Sequence, residues 1–115
     1  MLTEFNFHAP SFVVAGRNSV HQTGELVNQW GAGKIIMVVC GNKTYSLGVL
    51  NSLLDSIRSG GFTPCVFHGS LPDAPVETVR SGITYAKEHD VSAIVAFGGG
   101  SAMDTAIAIA CMLDV

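Results

Sequence analysis

The chain has 115 residues, a formal charge of −3, 48% apolar residues and only 13% charged ones. That length suits one domain with its own core, and a mildly acidic chain with scattered Lys and Arg lacks the basic field that nucleic-acid binding requires. A mean hydropathy of +0.40 is high for so short a chain, so part of its apolar surface is expected to want a partner. No apolar run reaches the ~18 residues of a membrane span without Gly or polar interruptions. The first residues, through His8, lack the basic and apolar regions of a secretory leader, so a cytoplasmic protein is expected.

Phe5, Phe7, Phe12, Val13 and Val14 read as edge β structure broken by Pro10, with a turn over residues 15–18. Asn18 or Ser19 then caps a helix to about Trp30, with Val20, Leu26, Val27 and Trp30 roughly on one face and glycines 31 and 33 as its stop. Residues 35–39 form a continuous apolar run, the pattern of a strand covered on both faces in a parallel sheet. A turn over residues 40–44 follows. Leu47, Val49, Leu50, Leu53, Leu54 and Ile57 keep a helical period that stops at Gly60 and Gly61. A strand is predicted over residues 62–67, its start demoted to an edge by Pro64, and a loop over 68–75. The next helix runs from Pro75 to about His89 with Val76, Val79, Ile83 and Ala86 facing in. Residues 93–97 form a short buried strand, and the final helix, over 105–113, has no polar face. A helix apolar all round must be covered all round, so a further domain or another copy of the chain is expected against it. Strands alternating with helices predict an α/β fold, a Rossmann-like layered parallel sheet flanked by helices.

Chemistry concentrates where strand 93–97 meets Gly98, Gly99, Gly100 and Ser101. Glycines let the main chain approach a phosphate closely, and the first free N–H groups of the following helix carry the positive end of its dipole. An anion cradle is one reading; a plain strand-to-helix turn is the other. Ser101 and Asp104 likewise either serve the site or form a near capping box, with Ser101 as N-cap. The second candidate is the turn of Gly41, Asn42, Lys43 and Thr44. In dinucleotide folds an acid at the end of the second strand holds the adenosine ribose hydroxyls and repels a 2′-phosphate. This turn has donors and no acid, so NADP is favoured over NAD, unless Asn42 and Lys43 merely populate an exposed loop. Cys40, Cys65 and Cys111 are three widely spaced residues in apolar runs, which suits buried thiols in a reducing compartment. His8, His21, His68 and His89 show no metal-like spacing and read as surface or loop residues.

From Gly98 to Ala106 the pattern Gly-Gly-Gly-Ser-x-x-Asp-x-Ala resembles the signature of iron-containing alcohol dehydrogenases, relatives of glycerol dehydrogenase and dehydroquinate synthase. The resemblance extends to residues 12–16 with Asn18, to 34–48, and to Pro72, Asp73, Ala74 and Pro75 in the place of the family's Pro-Asn-Pro. It implies a single NAD(P)-binding domain over 1–115, the coenzyme-binding half of an oligomeric enzyme that transfers hydride between NAD(P)H and an alcohol or aldehyde. Asp73 then takes the place of an asparagine near the nicotinamide ribose. Asp104, which would repel phosphates, faces the nicotinamide or substrate side if it serves the site. Two departures bear on activity: Ile107 stands where the family usually has Lys, and the family's metal ligands, an Asp and several His, belong to a helical second domain absent from these residues. The expectation is a chain that binds a dinucleotide through Gly41, Asn42, Lys43, Asp73, Gly98, Gly99, Gly100, Ser101 and Asp104, without turnover and with no catalytic or metal residue of its own. A stand-alone or degenerate nucleotide-binding module, or an assembly module, is the alternative.

Overall fold

Strand β1 (Ile35–Gly41) has no polar side chain, and residues 36–40 are wholly removed from solvent. Only a central position can do that. In a computed structural model of the chain, which describes residues 19–29 and 33–113, β1 lies between β2 (Thr63–Ser70) and β3 (Ala93–Ala96) in a parallel sheet of order β2-β1-β3. The helices are α1 (Thr23–Gln29), α2 (Asn42–Ser46), α3 (Asn51–Ser59), α4 (Val76–Glu88) and α5 (Gly100–Leu113), with a 3-10 turn, Ser19–Gln22, before α1. The predicted first strand, the turn after it, Trp30 and most of the first helix stop lie outside the described residues.

Strand alternation divides the core. Ile36, Val38 and Cys40 meet Val27 of α1, Leu50, Leu53 and Ile57 of the α3 layer, and Phe62. Met37 and Val39 face the other way, onto Ala86 of α4 and Ala106 and Ile109 of α5. The crossovers from β1 to β2 and from β2 to β3 run in opposite directions across the sheet, and right-handed connections therefore put α3 and α4 on opposite faces. Each buried Val, Ile or Met of β1 contributes about 1.5–3 kcal/mol of transfer free energy.

Several boundaries differ from expectation. Cys40 and Gly41 belong to β1, and residues 42–46 form a short helix instead of a turn. Leu47 and Val49, expected on the inner face of the next helix, are 67% and 51% exposed. Gly48, at φ +71, separates α2 from α3, so the inward period begins only at Leu50. Residues 68–70, expected in a loop, extend β2, because β1 itself runs on to pair Gly41 with Ser70 across a register shift. Pro64 sits on β2, an edge strand among the described residues, as its missing N–H requires. In α4, Val76 is 61% exposed, and the buried face is Thr78, Gly82 and Ala86 with Val79 and Ile83 half-buried. Small residues there let α4 approach α5 closely: a Cβ on Gly82 would overlap Ile109 Cδ1. Cys40 is buried and Cys65 half-buried, but Cys111 is exposed on α5, so the expectation of buried thiols fails for it. Among the described residues, no helix is long and apolar enough to cross a membrane.

The α1–α3 crossing is the tightest approach. Gly24 lies so close that an added Cβ would overlap the Ser56 carbonyl oxygen, and Ser56 Oγ accepts from Gly24 N–H (3.0 Å) while donating to His21 O (2.7 Å). Both clashing partners are backbone, which cannot swing aside. Gly24→Ala is therefore expected to lower unfolding free energy by about 1–3 kcal/mol in urea titration, the usual cost of overpacking. An unchanged midpoint would show that the two helices can separate freely.

Candidate functional site

Parallel strands deliver their carboxyl ends to one edge, and here that edge carries Gly41 at the end of β1, Ser70 at the end of β2, and Phe97 and Gly98 after β3. Gly41, Thr44, Ser70, Leu71, Pro72 and residues 98–102 enclose an open cleft of about 250 Å³ there. Among the described residues, no carboxylate lines it. A larger hollow of about 420 Å³, lined by Val91, Ser92, Ala93, Ile94, Ala110 and Leu113, lies at the opposite end of β3.

The glycine turn is built for close approach. Gly98 has φ +134, which a side chain tolerates poorly, so its identity follows from the backbone. Gly99 and Gly100 are different: among the described residues, a Cβ on either would meet no atom within 4 Å. Packing within the described chain does not explain their lack of side chains. Met103 N–H donates to Gly99 O (3.2 Å), which makes Gly99 the residue that opens α5 and leaves the N–H groups of Gly100, Ser101 and Ala102 without intrahelical acceptors.

The predicted capping box is not formed. Helix α5 starts before Ser101, so Ser101 sits inside the first turn and Asp104 is an exposed residue a turn further on. Ser101 is instead fixed through its carbonyl, which accepts from Thr105 Oγ1 (2.7 Å). That bond uses the only Thr105 hydroxyl proton, so the Ser70 hydroxyl donates to Thr105 Oγ1 (3.3 Å). Fully buried Thr105 thereby ties the glycine turn to the end of β2. Sequence reasoning missed this pair; the available signal was a lone hydroxyl in an apolar run four residues after Ser101.

Of the predicted residues, Gly41, Gly98, Gly99, Gly100 and Ser101 line the cleft together. Asn42, Lys43, Asp73 and Asp104 are exposed and lie outside its lining. Asn42 Oδ1 accepts from His68 Nδ1 (3.1 Å), and Asp73 occupies a left-handed turn position at φ 65. Thr44 of the candidate turn lines the wall too, together with Leu71 and Pro72, which were not predicted as binding residues. His89 stacks on Tyr85 and contacts its carbonyl oxygen through Nδ1 (2.8 Å), in keeping with a helix end. Burial pushes the Cys40 and Cys65 thiols up, so both stay protonated at neutral pH and supply no thiolate. Among the described residues, no three His, Cys, Asp or Glu gather as a metal site. The cleft thus offers backbone N–H groups, hydroxyls and glycine-made room, a set suited to an anionic group.

The sequence model of iron-containing alcohol dehydrogenases matches residues 10–115. The chain is 33% identical over 103 residues to a choline dehydrogenase of Bacillus subtilis, covering 90% of this chain and 25% of that protein. It is 34% identical over 104 residues to an NAD-dependent methanol dehydrogenase of Bacillus methanolicus, covering 90% and 27%. The crystal structure of an NADH-dependent butanol dehydrogenase from Thermotoga maritima superposes with a TM-score of 0.79 at 30% identity, over 93% of this chain and 27% of that one. Other relatives are named for NADH or for NADPH dependence. The chain spans about a quarter of the length of the relatives it matches. With the family model covering nearly all of its residues and the parallel sheet shared with a solved member, the chain belongs to the iron-containing alcohol dehydrogenase family.

Proposed function

We propose that this chain is the coenzyme-binding part of an NAD(P)H-dependent alcohol dehydrogenase and holds the diphosphate of a dinucleotide on the amides that follow Gly99. The observation that carries this reading is the open space beside Gly99 and Gly100, where a Cβ would meet nothing among the described residues yet would stand where a ligand must approach the main chain. The coenzyme, when bound, supplies or accepts the hydride. This chain's own residues bind and orient it: Gly100, Ser101 and Ala102 N–H groups at the diphosphate, and the Gly41 to Thr44 side at the adenosine end. Asp73 and Asp104 belong toward the nicotinamide, away from the phosphates. The share proposed for this chain is to bind and orient the coenzyme, without turnover by itself.

NADPH is favoured over NADH because Asn42, Lys43 and Thr44 follow β1 with no carboxylate to repel a 2′-phosphate. We place the protein in the cytoplasm, where its free cysteines stay reduced. Helix α5 leaves Met103, Ile107 and Met112 exposed, and a hollow lined by Ile94, Ala96, Met103, Ala106, Ile107 and Ala110 lies beside them. The remainder of a dehydrogenase, or another copy of the chain, packs there.

Binding must raise stability by mass action, so NADPH at about 100 times its Kd is expected to add about 2.7 kcal/mol to unfolding, with NADH requiring higher concentrations for the same shift. No change in melting temperature with either dinucleotide would overturn the reading and favour an assembly module. Gly99→Val separates ligand approach from folding: it should leave the melting temperature unchanged while weakening NADPH binding by ~10-fold or more, as expected when one hydrogen bond to a phosphate is lost. Equal NADPH affinity in the variant would place the diphosphate elsewhere. Lys43→Ala should narrow the NADPH preference in the same titration by about threefold, the range of a solvent-exposed charge contact; an unchanged ratio would remove Lys43 from the site.

A further inference from the structure

Resting on the coenzyme reading above, we infer that His68 is a positioning residue for coenzyme selection, acting through Asn42. The sequence marked His68 only as a loop histidine, yet it stands on β2 and makes two contacts with α2. Its ring stacks on Tyr45 with centroids 4.1 Å apart and planes 10° from parallel, and its Nδ1 lies 3.1 Å from Asn42 Oδ1. Asn42 and Tyr45 are three residues apart on one short helix and therefore share a face.

That helix has little else to fix it. None of its residues is buried, and Gly41 gives it no side-chain cap. Among the described residues, its one other side-chain bond, from Ser46 Oγ to Asn42 O (2.9 Å), is internal to the helix. The His68 clamp thus sets how α2, with Thr44 on the cleft wall, sits against the sheet. It also sets a polarity. Asn42 Oδ1 can only accept, so His68 must donate from Nδ1, and the Asn42 –NH2 is left as the side-chain group available to a ligand. A donor presented at the adenosine end favours a phosphate oxygen. With the amide turned over, a carbonyl oxygen would stand there and oppose it. The 2′-phosphate is the sole difference between NADPH and NADH, so the effect appears in their ratio.

The experiment measures NADPH and NADH dissociation constants by calorimetric titration of the whole chain and of its His68→Ala, Asn42→Ala and doubly substituted forms, alongside their melting temperatures. His68→Ala is expected to weaken NADPH by about threefold to tenfold relative to NADH, the worth of one oriented hydrogen bond. His68→Gln, which restores a donor to Asn42, should recover most of that ratio. In the Asn42→Ala background, removal of His68 should change the ratio no further, since the histidine acts through that amide. A changed melting temperature with an unchanged NADPH to NADH ratio would overturn the inference and leave His68 a packing residue. Additive effects in the doubly substituted chain would overturn it as well. If the unsubstituted chain binds neither dinucleotide, the coenzyme reading itself fails, an outcome distinct from tight binding with a ratio indifferent to His68.

Discussion

Double-sided burial of β1 is the constraint from which the rest follows. Residues 36–40 expose nothing, so helices must cover both faces, α1 and α3 on one and α4 and α5 on the other. Covering both faces with short connections leads to parallel strands joined by helical crossovers. Parallel strands in turn bring Gly41, Ser70 and Gly98 to one edge, although they are far apart in sequence. The cleft is therefore a consequence of how the core is closed, and open α/β sheets bind ligands at such an edge.

The end of β2 links the two walls of that cleft. Ser70 reaches the buried Thr105 hydroxyl and through it the carbonyl of Ser101, while His68, two residues earlier, reaches Asn42 on α2. One wall is held by a buried hydroxyl relay and the other by an exposed histidine clamp. Buried hydrogen bonds resist loss because an orphaned partner pays its full desolvation cost, whereas exposed ones trade readily with water. The glycine turn is the more rigid wall by that criterion, and the α2 wall is the one that a single side chain can move.

The apolar run of β1, the stop at Gly60, the parallel α/β architecture and the meeting of Gly41 with residues 98–101 were legible in the sequence, because each rests on a local pattern with one dominant physical cause. What escaped notice depended on tertiary pairing. Leu47 and Val49 keep a helical period and still face solvent, since Gly48 turns the backbone to positive φ between them. The continuation of β2 through Ser70 is set by its partner strand, not by its own composition, which ends in His, Gly and Ser. Ser101 looked like an N-cap because Ser before an apolar run usually is one; Gly99 opens α5 instead, and the Ser101 carbonyl is engaged by Thr105. The family pattern was readable from Gly98 to Ala106; the family model matches residues 10–115, and the chain spans about a quarter of its relatives' length.

Amides after Gly99 are proposed to hold a diphosphate. Amide nitrogen and proton shifts of the 15N-labelled chain, followed by NMR during addition of NADPH, test it residue by residue. The largest saturable shifts are expected on Gly100, Ser101 and Ala102, with smaller ones on residues 41–44. Saturable binding that leaves those amides unmoved while shifting others, such as those around Val91 and Leu113, would contradict it.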